Sequence, residues 1–477
     1  MNNNYLMTNS FKSIFKNFSY SLLSNVMSTL ISAAVVILVP KLIGKADYGY
    51  YQLYVFYASY TGFFHFGWAD GIYLKYGGIE YNHYNRPLMS SQFWYMIGFE
   101  TILSLSLSAG VLLFVRDIDR VFILILTSIS ILFVIPKTLL SYLLQISNRI
   151  REYSLVVVVE KAVYFLLTII LLIAGCRTYR PLIVADILGK LSAAMLGVFY
   201  CRDIVKARPS PFSAAVNEAW SDICIGIKLM VANIASMLIL GIVRMSIERQ
   251  WDIETYATVS LAISVSNMLL VCINAVGTVL FPILKRMDSS RIHSLYMDLR
   301  DVLMILLLGM LLSYYPIQWL LSLWLPSYAE SFTYMSLLFP MCIYESKMSL
   351  LVNTYFKALR QEKWLMIANA TTVVLSVILS FVTIFLLHSI TLAMVVVVVL
   401  FAFRCIFCEV LMGRLLQLHL LYDTLLELFV CIAFMCVSSM LSLLPAMGTY
   451  LLVYCGYLLC KRQTLRTLLQ RLSALRR

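Results

Sequence analysis

Apolar runs about as long as a bilayer's hydrocarbon core recur along the whole chain, separated by short polar stretches. The pattern predicts fourteen spans, over 20–40, 50–73, 89–114, 120–146, 154–175, 181–200, 222–245, 256–284, 302–324, 332–356, 364–387, 390–412, 424–444 and 446–460. Only helices and closed barrels satisfy every backbone polar group in lipid, and runs of this length are helical. The expected fold class is therefore an all-α polytopic membrane protein with about fourteen transmembrane helices. Ahead of the first run, Phe11, Ile14, Phe15 and Phe18 share one helical face and Lys12 and Lys16 lie off it, which predicts a short interfacial helix. The first run is too long for the core of a cleavable signal peptide and contains no small-residue cleavage site.

The stretch Gly44–Gly78 stands out. A polar turn, Gly44-Lys45-Ala46-Asp47-Tyr48-Gly49, opens it, and an apolar run from Tyr50 to Trp68 follows, long enough to cross the hydrocarbon core. Tyr48, Tyr50, Tyr51, Tyr54, Tyr57 and Tyr60 crowd its first half, and Gly62, Gly67 and Gly71 recur in its second. Small residues at that spacing let another backbone or a ligand approach closely. Tyrosine offers a flat apolar face and a hydroxyl, which suits both a membrane interface and a sugar.

Loop charge sets the expected orientation. With the N-terminus inside, the inner segments hold 23 Lys and Arg and the outer segments 8. An even number of spans with this bias places both termini in the cytoplasm. The longest connection, Cys201 to Asp222, carries Arg208-Pro209-Ser210-Pro211 and follows six spans. Shifting the chain by 208 positions lays Asn25 on Asn233, Ser28 on Ser236, Lys41 on Arg249 and Tyr48 on Tyr256, which suggests a repeat. The expected organisation is a first lobe over 1–200, an inter-lobe loop over 201–221, a second six-helix lobe over 222–412, and two helices with a basic tail over 413–477.

Composition sharpens this reading. The 477 residues are 61% hydrophobic and 13% charged, about half the charge of an average soluble domain. The net charge of +13 follows from basic cytoplasmic loops, so nucleic acid is not an expected partner. Eleven cysteines are scattered singly apart from Cys405 and Cys408, whose C-x-x-C has no second pair or nearby histidine; they read as small apolar fillers, with no metal expected. The five histidines, His65, His83, His293, His388 and His419, lie far apart. No phosphate-binding glycine loop, nucleophile elbow or zinc-protease motif is present, so the chain is not read as an enzyme and no catalytic residue or cofactor is assigned.

Ionisable groups inside the spans carry the candidate chemistry, because each costs roughly 2.5–3.5 kcal/mol near the bilayer centre and requires a partner or cavity. Thirteen qualify: Asp70, Glu100, Lys137, Glu160, Lys161, Asp186, Lys190, Lys228, Arg244, Glu345, Lys347, Arg404 and Glu409. Asp186 with Lys190, and Arg244 with Glu248, have the i,i+4 spacing of a helix pair. Glu100 falls near mid-membrane, Lys137 follows Pro136, and Arg404 precedes Glu409 by five residues. Lys75 closes the second span, where snorkelling competes with a binding role.

Ser24-Asn25-Val26, Pro40-Lys41-Leu42-Ile43-Gly44, Asp47-Tyr48-Gly49, Gly67, Gly71 and Lys75 together resemble the N-terminal quarter of polysaccharide flippases of the Wzx type, in the multidrug/oligosaccharidyl-lipid/polysaccharide (MOP) exporter superfamily. The six-plus-six-plus-two span pattern extends the resemblance over the chain. It implies two six-helix lobes related by a pseudo-twofold, as in the multidrug exporters and lipid II flippases, with two C-terminal helices. The first span lacks the arginines of lipid II flippases. The implied function is translocation of an undecaprenyl-pyrophosphate-linked oligosaccharide across the cytoplasmic membrane by alternating access. Lys75, Lys137, Lys347 and Arg404 would meet the pyrophosphate; Tyr54, Tyr57 and Tyr60 would meet the glycan. Glu100, with Asp70, would carry a coupling proton or sodium ion. Membrane lipids and a polysaccharide polymerase are the further partners implied. A cation-coupled drug antiporter of the same superfamily is an alternative, usually with twelve spans; a polymerase or ligase is another, which needs a long outer loop with basic residues.

Overall fold

The computed structural model describes residues 2–285, 292–359, 361–418 and 420–462, and it is all-helical, with no strand among them. The side chains of 1–18, 269, 271–295, 357, 358, 360, 362, 419 and 463–477 are outside the description, so the face Phe11, Ile14, Phe15 and Phe18, and Arg286, Arg291 and the basic residues after Arg462, fall outside it too. Among the described residues, eleven helices are long and apolar enough to cross a membrane, twelve if one bent pair is counted as a single span. The chain packs as two compact units, Met1–Ile234 and Ala235–Arg477.

The first unit begins with α1 (Asn2–Leu42), α2 (Lys45–Ala58) and α3 (Trp68–Lys75). Here the second predicted span is corrected: 50–73 is not one helix. Phe66 takes φ 50° and Gly67 φ 85°, and the Gly67 N–H donates to His65 Nδ1 at 3.0 Å. α2 ends at Ala58, a 3-10 turn covers Thr61–Phe63, and the left-handed Phe66 and Gly67 then set α3 off from it, although the hydropathy is unbroken. The next helices, α4 (Arg86–Phe114), α5 (Ile118–Ile146), α6 (Ile150–Ile173) and α7 (Tyr179–Tyr200), each pass the span test. Asn85 caps α4 and Asp117 caps α5, each side chain accepting from backbone N–H groups of the first turn. The predicted long loop is also corrected. Arg202–Val205 forms a short helix, α8, and α9 (Phe212–Gln250) starts directly after Pro211, leaving only Cys201 and 206–211 non-helical.

α3 and α9 cross in backbone contact. A Cβ on Gly71 would overlap the Asp222 carbonyl, and one on Gly226 would overlap the Gly67 carbonyl. The crossing therefore requires glycine on both helices, the role the glycine spacing suggested. Around it the core joins Trp68, Ile72, Phe93, Met96, Ile135 and Leu140.

The second unit takes over α9 after Ile234 and adds α10 (Ile253–Lys285), α11 (Ile292–Met310), α12 (Tyr314–Trp324) and α13 (Ala329–Leu338). Next come α14 (Met341–Lys347), α15 (Asn353–Ala358), α16 (Glu362–Ser380), α17 (Ile390–Leu415), α18 (Leu421–Met440) and α19 (Leu443–Cys460). The tenth predicted span, 332–356, is bent: Pro326–Leu338 and Met341–Phe356 meet at 43°, at Phe339-Pro340. Proline lacks the N–H that would continue the ladder, which accounts for the bend. The last two helices dock through aromatic packing, with the Phe434 ring stacked on Phe339 and edge-on to Tyr314 and Tyr450. Tyr450 also donates to the Leu308 carbonyl at 2.7 Å.

Candidate functional site

In the first unit, α2, α5, α6 and α7 gather five charged side chains and a tyrosine. Gly189 lets α6 and α7 approach, since a Cβ there would come within 2.7 Å of the Glu160 carbonyl. Lys137 reaches Glu160 at 2.7 Å, a pair 23 residues apart in sequence. Lys190 reaches Asp186 at 2.7 Å in the expected i,i+4 pair. Tyr54 donates to Asp186 at 2.7 Å and accepts from Lys190 at 3.2 Å. Lys161, next to Glu160 on α6, is close enough for its charge to act on both carboxylates. Three lysines and two acids leave the group one positive charge in excess. The Lys137 and Glu160 side chains keep 20% and 12% of their surface exposed, so the cluster is reachable rather than sealed.

The tyrosines divide. Tyr54 is buried and committed to this pair rather than free to meet a sugar, while Tyr57 and Tyr60 stay half-buried and pack against Phe56. Glu100 is fully buried on α4, and neither carboxylate oxygen has a hydrogen-bond partner among the described residues. Asp70 is buried too, 3.4 Å from the Tyr142 hydroxyl and 3.9 Å from His65 Nε2. Lys75 neither snorkels freely nor stands open. Its Nζ lies 2.7 Å from Glu218 and 3.3 Å from Asp222, closing the α3–α9 crossing, and Tyr76 donates to Glu218.

The second unit holds a different set. Arg300 on α11, with no exposed surface, pairs with Glu409 on α17 and with Glu427 on α18 at 2.8 Å. Lys347 on α14 bridges the same two acids at 2.6 and 2.7 Å, and is itself buried. Lys461, just past α19, pairs with Asp301 at 2.8 Å and Asp423 at 2.9 Å. The expectation that Lys347 faces a cleft is corrected: its ammonium is saturated by two carboxylates in a closed interface. Arg404 pairs with Glu345, not with Glu409, and donates to Ser236 at 2.8 Å. Arg300, Asp301, Asp423, Glu427 and Lys461 were not among the sequence candidates. An acid near the start of an otherwise apolar run, as at Glu427, was the available signal.

Two grooves of about 430 and 400 Å³ run between α17 and α18, the first beside Glu409, Arg414 and Thr424, the second beside Val398, Cys431 and Met435. Their walls are overwhelmingly apolar, a surface for hydrocarbon rather than for a charged headgroup.

No protein-family model and no curated protein matches the chain. Solved structures do. A lipid II flippase, MurJ, in an inward closed conformation, superposes with a TM-score of 0.68 at 11% identity, over 94% of this chain and 99% of the other. A multidrug resistance MATE family transporter of the MOP superfamily, inward-facing, gives 0.54 at 10% identity, over 84% and 94%. A MOP superfamily transporter from Pyrococcus furiosus gives 0.54 at 13% identity, over 85% and 95%. The fold is thus that of the helical transporters and flippases typified by MurJ and the MATE proteins, and these neighbours are transporters rather than enzymes. The chain is a multi-pass membrane protein of that fold.

Proposed function

We propose that this protein is a flippase that moves an undecaprenyl-pyrophosphate-linked oligosaccharide from the inner to the outer leaflet of the cytoplasmic membrane, with both termini inside. The observation that carries the reading is the lysine-rich cluster of the first unit. Lys137, Lys161 and Lys190 outnumber Glu160 and Asp186 inside an apolar helix bundle, and Lys137 and Lys161 remain partly reachable. A reachable cationic group at mid-membrane suits an anionic diphosphate and repels cationic drugs. Tyr57 and Tyr60 provide the aromatic surface for sugars. The buried carboxyl of Glu100, without a hydrogen-bond partner among the described residues, suits a group that takes up and releases a coupling proton, or binds sodium, as the lobes alternate. Asp70 is a second candidate for that role, and Lys75, Lys347 and Arg404 act in this reading by holding helices together. The lobes, over 1–200 and 222–412, would work as parallel repeats, with a polymerase consuming the product.

The test is genetic and chemical. In cells deprived of this protein, surface polysaccharide falls and lipid-linked oligosaccharide accumulates on the inner leaflet; both revert on complementation. Unchanged polysaccharide together with altered susceptibility to cationic drugs favours the antiporter reading.

A further inference from the structure

Pairing separates the intramembrane cations. Lys75, Lys137, Lys190, Lys347 and Arg404 each contact a carboxylate. Lys161 and Lys228 have no hydrogen-bond or ion-pair partner among the described residues. Lys228 is exposed on α9, about six residues inside the start of the apolar stretch at 222, roughly 9 Å at 1.5 Å per residue. A lysine stem covers much of that distance to the interface. Lys161 has no such exit. It lies about eleven residues from either end of α6, roughly 16 Å, beyond the reach of its stem.

Its charge acts on Glu160 and Asp186, but both carboxylates have closer cations. Glu160 is engaged by Lys137, and Asp186 by Lys190 and Tyr54. The single positive charge left over in the cluster is that of Lys161, and its side chain is half-buried rather than enclosed. α1, which packs along α6, carries Asn25, Ser28, Thr29 and Ser32 on one helical face, with Asn25 and Ser32 exposed. The Thr29 and Ser32 hydroxyls donate to the Asn25 and Ser28 carbonyls of α1 itself, at 2.7 and 2.9 Å, so the face adds no anion to compete for Lys161.

We infer that Lys161 is the residue that receives the phosphate or diphosphate ester of a prenyl-lipid substrate, with Lys137 and Lys190 held in place around it by their acids. This rests on the function proposed above and names the atom, Lys161 Nζ, that meets the anion.

The test uses the full chain in lipid nanodiscs and geranylgeranyl diphosphate as probe, with geranylgeraniol and inorganic pyrophosphate as comparators. The wild type is expected to bind the diphosphate more tightly than the alcohol. K161Q should weaken diphosphate binding about tenfold or more without moving the thermal midpoint of the unliganded protein, and K161R should retain most of it. Diphosphate affinity unchanged in K161Q overturns the inference and leaves the functional reading standing. A loss matched by a fall in thermal midpoint and not rescued by arginine overturns it in favour of a packing role. No wild-type preference for diphosphate over alcohol overturns the functional reading itself. Equal affinity for inorganic pyrophosphate overturns the lipid headgroup as the anion's source.

Discussion

The two units both bury charge in an apolar protein, and they do it in opposite ways. In the first, three lysines and two acids sit on α5, α6 and α7 with partial exposure and a positive surplus. In the second, Arg300, Lys347 and Lys461 are outnumbered by Asp301, Glu409, Asp423 and Glu427. Those groups bind α18 and the end of α19 to α11, α14 and α17. A sealed, closely paired network holds helices in register; its individual charges are too fully engaged to serve a ligand. An open cluster with a spare cation has capacity left for one. Burial and pairing together, rather than charge alone, separate a site from a fastening.

Removing the centre of the fastening should have the largest effect. Arg300→Met leaves Glu409 and Glu427 sharing Lys347 alone in a buried interface, and breaking a buried pair of this kind costs about 3–5 kcal/mol. Folded yield and monodispersity after extraction should collapse; a normal elution profile would show that the network is dispensable. Close behind is the glycine crossing. Gly71→Leu or Gly226→Leu drives a side chain into the opposing backbone, so abundance and transport should both fall, whereas Gly62→Ala, with open space at its Cβ, should leave both near normal.

A subtler contrast comes from removing charge in matched sets. Lys347→Met alone should destabilise the second unit by leaving Glu409 and Glu427 to share Arg300, and Lys347→Met with Glu427→Gln should recover part of the thermal midpoint, because the surplus carboxylate is gone. Recovery in the double variant would sharpen the view of this network as structural, and its absence would break it. The smallest expected effect on stability is at Glu100. Glu100→Gln keeps the shape of a side chain that has no hydrogen-bond partner among the described residues, so the thermal midpoint should hold within about 1 kcal/mol of stability while proton- or sodium-driven turnover stops. Turnover unchanged in reconstituted vesicles would remove Glu100 from the coupling role.

The helices were legible because hydropathy reports burial in lipid directly, and the positions at α4 to α7 and α16 to α19 follow the apolar runs closely. The break between Ala58 and Trp68 was not, because a run of Phe, Tyr and Gly is as apolar whether it is helical or turns back. The Asp186–Lys190 pair could be read from i,i+4 spacing. Lys137 with Glu160, Arg404 with Glu345, and Lys347 with Glu409 could not, since nothing local specifies partners 23, 59 and 62 residues away. Arg300 and Lys461 lie at predicted span ends, where a basic residue has the pattern of loop charge, so the hydropathy of any single span does not disclose the network they anchor.

The comparison reduces to one paired measurement. Lys137→Ala and Lys161→Gln in the first unit, and Arg300→Met and Lys347→Met in the second, are introduced separately, and protein abundance and glycan export per molecule are read in the same cells. The account predicts that the first pair keeps abundance and loses export per molecule, while the second pair loses abundance and keeps export for whatever protein remains. First-unit variants that fall only in abundance, or second-unit variants that stay abundant and inactive, would contradict it.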